Sequence, residues 1–172
     1  MSDYYWTLPV LGVVGLLFAG LIYASIKKVK VSNQKMVEIS DAIHDGAMVF
    51  LRREYGILLV FIVLTFGLLS WAVSVWSAVA FVLGAASSMM AGFFGLKAAT
   101  RANVRTTQAA NDSGLAEALN IAFSGGAVMG LSVASLGLMG VSIAFMLGLR
   151  GSIEFSDISG FAMGASSIAL FA

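Results

Sequence analysis

Long apolar stretches alternate with short charged ones along this chain, and the alternation predicts membrane-spanning helices. No charged residue occurs in 4–26, 55–96, 118–149 or 158–172. A helix crosses a bilayer with about 17–25 apolar residues, so the first stretch fits one span and the second fits two spans joined by a turn. The third predicts one long span, and the fourth predicts most of a fifth span that the end of the sequence truncates. The predicted spans are 5–26, 55–73, 78–96, 118–147 and 158–172.

The apolar stretches are continuous and rich in Leu, Ala, Gly and Met, which favours helices over the alternating strands of a membrane barrel. Hydrophobic residues make up 59% of the 172-residue chain and charged residues only 11%. So few charges cannot cover the surface of a soluble domain, so most of the surface is expected to face lipid. The predicted fold class is all-α, a polytopic helical membrane protein with about five transmembrane helices forming part of one membrane domain over 1–172.

The second helix is predicted to extend well beyond the bilayer. Apolar residues keep helical spacing from Gln34 onward, with charged residues between them. A helix from Gln34 to Trp71 would be about 57 Å long, against about 30 Å of hydrocarbon. Lys97, Arg101 and Arg105 fall four residues apart on one helix face, so the third helix is also expected to continue past the bilayer.

Basic residues predict the orientation. Six lie in 27–54, three in 97–117, and only Arg150 in the remaining loop, 150–157. The positive-inside rule places 27–54 and 97–117 in the cytoplasm and the N-terminus outside. A net charge of +1 gives no nucleic-acid footprint, and the absence of cysteine excludes disulfides and thiolate sites.

Residues that could carry chemistry are scarce. His44 lies near Asp41 and Asp45, but a lone histidine is more often solvated or interhelical than a base or a metal ligand. The stripe of Lys97, Arg101 and Arg105 fits a phosphate, yet anchoring to lipid headgroups is the more common role of such residues. The spans contain no ionisable residue of the kind that marks an ion pathway. We therefore predict no catalytic, cofactor-binding or metal-binding residue here.

Small residues recur at four-residue spacing, which lets helices approach closely in lipid. The candidate helix-packing residues are Gly126 with Gly130 and Gly160 with Gly164. Gly84 with Ser88 and Ala91 with Gly95 repeat the pattern. In a chain with 19 glycines some pairs arise by chance, so the spacing alone does not distinguish the pairs that mark a contact.

Four segments together resemble the ion-translocating membrane pyrophosphatases. They are MVEISDAIHDGAMVFLRREYGILL at 36–59, GFFGLKAATRANVRTTQAA at 92–110, LAEALNIAFSGGAVMGLSVASLGLMG at 115–140 and GFAMGASSIALFA at 160–172. They cover about half of the chain in order, and ATRANVRT followed by AFSGGAVMGL is the most specific part.

The resemblance implies the N-terminal portion of a bundle of about sixteen helices. Such proteins hydrolyse pyrophosphate with Mg²⁺ on the cytoplasmic side, pump protons or sodium, and are expected to form homodimers. By the same resemblance, K⁺ is a candidate for a further cofactor. No residue here matches a family ligand for pyrophosphate or magnesium, so those motifs are expected beyond residue 172. The isolated segment is accordingly expected to be inactive.

Two other readings remain open from the residues alone. The chain could be an independent helical scaffold that binds a partner through its glycine faces. A complete small transporter or channel is weaker, because no intramembrane charge or interrupted helix appears.

Overall fold

The computed structural model describes residues 6–149, 151 and 154–171, and nearly all of them are helical. The helices are α1 (Thr7–Lys28), α2 (Gln34–Ala72), α3 (Val75–Asp112), α4 (Leu115–Leu149) and α5 (Ile158–Phe171). A short 3-10 helix, Phe155–Asp157, precedes α5. The all-α fold class is confirmed. Residue 5 of the first predicted span, residue 172 of the last, and Arg150 lie outside the described residues.

The long second helix predicted from Gln34 is confirmed, and it ends one residue beyond Trp71. It begins there because the Asn33 side chain accepts hydrogen bonds from the backbone N–H groups of Lys35 (3.0 Å) and Met36 (3.4 Å). Its 39 residues correspond to about 58 Å, so it is much longer than the hydrocarbon is thick.

Tight turns separate α2, α3 and α4. Ser74 caps the start of α3 by accepting a 3.0 Å hydrogen bond from the Trp76 N–H. The turn between α2 and α3 therefore consists of the two residues 73–74, whereas the predicted spans left a gap at 74–77. At the other end, Gly114 has φ +86°, a backbone conformation that favours glycine, and its N–H donates to the Ala109 carbonyl at 3.0 Å. Turns this short make consecutive helices antiparallel neighbours.

Helix α3 is the centre of the bundle, because α2, α4 and α5 all pack against it. Helix α1 packs mainly on α4. Most of the buried side chains of α3 are small, and Phe81 is the large exception. The small ones include Ala78, Ala85, Ala91, Ala98 and Ala102. Small residues allow close approach of backbones, which drives helix association in lipid, where apolar burial alone does not.

Many large apolar side chains point outward, as expected for helices surrounded by lipid. Leu17, Leu64 and Trp71 are 63%, 69% and 86% exposed, respectively. Helices α1 to α4 are each long and apolar enough to cross a membrane. The outward apolar faces and this length identify an integral membrane protein. The exact bilayer boundaries stay predictions.

Candidate functional site

The charged ends of α1, α2 and α3 meet at one end of the bundle. Arg101 Nη1 on α3 pairs with Asp41 Oδ1 on α2 at 2.7 Å. His44 Nδ1 on α2 lies 2.8 Å from Thr100 Oγ1 on α3. The segments 27–54 and 97–117, predicted to share one side of the membrane, therefore contact each other directly.

His44 is interhelical rather than solvated. The Thr100 hydroxyl donates to the Leu96 carbonyl at 2.9 Å. The His44–Thr100 contact adds to that bond, and its donor is set by the histidine tautomer. The histidine thus joins α2 to α3, which is the role favoured from the sequence over that of a base or a metal ligand.

The three residues of the basic stripe have different surroundings. Lys97 Nζ lies over the Phe93 ring, 5.4 Å from its centre. Arg101 is paired with Asp41. Arg105 Nε donates to the Val29 carbonyl at 3.1 Å, at the end of α1, and its Nη1 donates to the Arg101 carbonyl at 2.7 Å. Burial, and then the charge of Arg101, lower the pKa of Arg105.

Arg101 and Arg105 do line one groove of about 360 Å³, which they share with Lys27, Lys30 and Asp41. The groove is open and its cations are already engaged in part, Arg101 by a carboxylate and Arg105 by two carbonyls. These contacts tie α1, α2 and α3 together, so a purely lipid-anchoring role does not describe the stripe completely.

The two glycine pairs predicted as packing positions have different surroundings. A Cβ on Gly160 would collide with the Ser77 carbonyl, and one on Gly164 with the Phe81 carbonyl. A Cβ on Gly126 or Gly130 would meet nothing within 4 Å in the described part of the chain. The first pair therefore lies against α3. The second pair borders open space, and Gly126 lines a groove that it shares with Ile43 of α2 and Ala99 of α3.

Several packing glycines fall outside the predicted pairs. Gly125, not Gly126, faces α3, where its Cβ would lie 2.8 Å from that of Ala102. Gly12 lies against the Ser135 carbonyl of α4, and Gly140 lies against the Phe161 ring of α5. The remaining two pairs contain one glycine each: Gly84 meets backbone at the Phe161 carbonyl, and Gly95 meets the Met129 side chain.

A buried carboxylate at the opposite end of the bundle was missed by the sequence analysis. Asp157 is 4% exposed, and its Oδ1 accepts a 2.5 Å hydrogen bond from the Ser77 hydroxyl. Its Oδ2 accepts from the Glu154 N–H at 3.1 Å. The bond from Ser77 is the largest cause of the lowered pKa of Asp157. An Asp just before an apolar helix was a helix-start signal, but its partner lies 80 residues away.

The described residues contain no group of three or more His, Asp or Glu side chains that could hold a metal ion. The polar contacts at the two ends of the bundle fix the relative positions of the helices.

Four long apolar helices with tight turns between α2, α3 and α4 define a polytopic helical membrane protein of the bundle type. A particular family within this class is identified by the sequence: the family model described as "Inorganic H+ pyrophosphatase" matches residues 13–172. The chain belongs to this family, which confirms the resemblance noted in the sequence.

Relatives with assigned names agree with the family. The chain is 50% identical over 161 residues to a Clostridium tetani protein named "Putative K(+)-stimulated pyrophosphate-energized sodium pump", covering 94% of this chain and 23% of that one. It is 38% identical over 174 residues to the "K(+)-insensitive pyrophosphate-energized proton pump" of Methanosarcina mazei, covering 100% of this chain and 25% of the relative. The chain thus spans about a quarter of the length of these relatives.

Proposed function

We propose that this chain is the N-terminal portion of a pump that hydrolyses inorganic pyrophosphate and moves protons or sodium ions across a membrane. The observation that carries the proposal is the family match over residues 13–172. The names of the two relatives, one a sodium pump and one a proton pump, supply the reaction class. They differ in the ion, so the transported ion is left open between the two.

Within that pump, this segment acts as a scaffold. Its polar contacts join helices to one another, as in the pairs Arg101–Asp41 and Ser77–Asp157. Helices α2 and α3 extend beyond the hydrocarbon at the end that carries nine of the ten basic residues. There they would support a pyrophosphate site built by the rest of the protein. Gly126 and Gly130 would then face helices outside this segment.

Mg²⁺ and K⁺ belong to the proposal only through the full-length protein. The described residues offer no cluster for a metal ion, so the proposed Mg²⁺ ligands lie elsewhere in the full-length protein. K⁺ dependence is open, because the names of the relatives include both K⁺-stimulated and K⁺-insensitive pumps. A homodimer is part of the same proposal.

The test of function uses the full-length protein in inverted membrane vesicles. Pyrophosphate should drive either acidification of the vesicles, read with a quenched pH dye, or uptake of labelled sodium. The rate should require Mg²⁺, and a K⁺ titration should separate the two classes of relative. Pyrophosphate hydrolysis with neither ion moving, or no hydrolysis at all, would refute the proposal.

The proposed orientation has its own test, because the 172-residue segment contains no cysteine of its own. In a full-length protein freed of other cysteines, Lys30→Cys and Asn103→Cys should resist an impermeant maleimide in intact cells. Val73→Cys, which is 68% exposed between α2 and α3, should react. Labelling of positions 30 and 103 from outside would show that the orientation is the opposite of the proposed one, and it would leave the pump proposal unaffected.

A further inference from the structure

An apolar groove runs between α1 and α3, with α4 as its floor, and we call it the α1–α3 groove. It measures about 340 Å³, within the range of small-molecule sites. Leu16, Gly20 and Tyr23 line it from α1, and Phe93 and Phe94 line it from α3. On the floor, the Ser132 hydroxyl donates to the Val128 carbonyl at 2.7 Å, so no unsatisfied polar group faces the groove there.

Lys97 lines the charged end of the α1–α3 groove. Lys27 lies beside it, next to the Tyr23 ring of the groove wall, and itself lines the neighbouring groove of Arg101 and Arg105. The Lys27 ammonium lies over the Tyr23 ring, 5.9 Å from its centre, and the Lys97 ammonium lies over the Phe93 ring at 5.4 Å. Both rings line the groove. Among the described residues, Asp41–Arg101 is the single ion pair within 4.0 Å, so neither lysine is neutralised by a carboxylate. The mouth therefore has uncompensated positive charge above an apolar slot.

We propose that the α1–α3 groove binds one anionic glycerophospholipid, with an acyl chain in the slot and the phosphate between Lys27 and Lys97. The apolar walls match the chain and the two ammonium groups match a phosphate. Tyr23 fits this depth, because tyrosine favours the level of the headgroups. A free phosphate would leave the apolar slot empty, and a zwitterionic headgroup would bring its own cation to a site that already has two.

The α1 wall of the groove leaves open space beside Gly20. A Cβ on Gly20 would meet nothing within 4 Å, so the α1 wall is open at the middle of the slot. Phe94 is 40% exposed and Tyr23 is half-buried. This proposal is independent of pump activity, because its measure is lipid binding.

The test measures binding of phosphatidylglycerol and phosphatidylcholine to the full-length detergent-purified protein by native mass spectrometry. Each juxtamembrane lysine should contribute about fivefold to the affinity for an anionic lipid, so Lys27→Gln with Lys97→Gln should weaken phosphatidylglycerol binding about 30-fold. Lys28→Gln with Lys35→Gln removes the same charge outside the groove and should change binding less than about threefold. Lys27→Arg with Lys97→Arg should retain binding and serves where the Gln variant does not fold.

Gly20→Leu fills the slot and should abolish phosphatidylglycerol binding at this site, whereas Gly67→Leu on α2, also with open space at its Cβ, should not. Equal losses in the two Gln pairs would reduce the effect to surface charge and overturn the proposal. So would wild-type binding of phosphatidylcholine as tight as that of phosphatidylglycerol. Displacement of the lipid by an equal concentration of inorganic phosphate would show a phosphate site without a lipid, and unchanged binding in Gly20→Leu would show that the groove is not the site.

Discussion

The contact between α3 and α5 gives the sharpest prediction, because backbone meets backbone there. Gly84 on α3 faces the Phe161 carbonyl of α5, and Gly164 on α5 faces the Phe81 carbonyl of α3. A methyl group on either residue would also lie 2.9 Å from a backbone nitrogen of the opposite helix, that of Ala165 or Ala85. Carbonyls in a helix cannot rotate away, so the two helices must separate.

The expected size of the effect follows from that separation. Restoring normal contact distance requires a shift of roughly 1 Å, and a gap of that size forfeits a quarter to a half of each van der Waals contact along the interface. Overpacking of this kind costs about 1–3 kcal/mol, while alanine gains about 0.5–1 kcal/mol over glycine within a helix. Gly164→Ala should therefore lower the free energy of unfolding by about 1–2 kcal/mol.

The assay is denaturant unfolding of the full-length protein in detergent, with Gly46→Ala as the matched control. Gly46 lies in α2 with no atom within 4 Å of its Cβ position, so its alanine variant should be neutral or slightly stabilising. The double variant Gly84→Ala with Gly164→Ala should cost less than the sum of the two, because one separation relieves both clashes. If Gly164→Ala behaves like Gly46→Ala, or if the two effects simply add, the reasoning is wrong.

Three further predictions concern the ends of the bundle and its open face. Asp157→Asn should cost about 1.5–3 kcal/mol, because it removes a charge-assisted bond. Because folding lowers the pKa of Asp157, the wild type should have this stability in full above the usual carboxyl pKa near 3.9 and lose it as the pH falls through the lowered pKa. The melting temperature of the variant should therefore depend less on pH than that of the wild type. The pair Arg101–Asp41 is 31% and 54% exposed, so a double-mutant cycle should give a coupling of only about 0.2–1 kcal/mol that fades with salt. Gly126→Leu should lower pyrophosphate turnover and pumping of the full-length protein if other helices cover that face, and unchanged rates in vesicles would count against it.

The number and extent of the helices were predictable because the alternation of apolar and charged stretches can be read directly from the sequence. The start of α2 at Gln34 could be read from apolar spacing that continues among charged residues, and the Asn33 cap agrees with it. The turn between α2 and α3, at 73–74, lies within a few residues of the gap between the predicted spans 55–73 and 78–96.

Which helix faces which was not predictable in the same way. Gly126 with Gly130 and Gly160 with Gly164 have the same spacing, and spacing shows that two residues share a face without showing what lies opposite. The bond between Ser77 and Asp157 joins residues 80 positions apart, so it depends on how α5 packs on α3. The contacts of His44 and Arg101 across α2 and α3 depend in the same way on register.

The packing of α1 on α4 has a consequence for how the protein is made. Helix α1 leaves the ribosome before α2 to α5, but its main packing partner, α4, begins 87 positions after α1 ends. At typical synthesis speeds of about 5–20 residues per second, α1 waits roughly 4–17 s in the bilayer before that neighbour arrives. During this time the hydrophobicity of α1 itself must keep the helix in the bilayer. The segment fits this requirement, because it has no charged or strongly polar side chain between Leu8 and Tyr23.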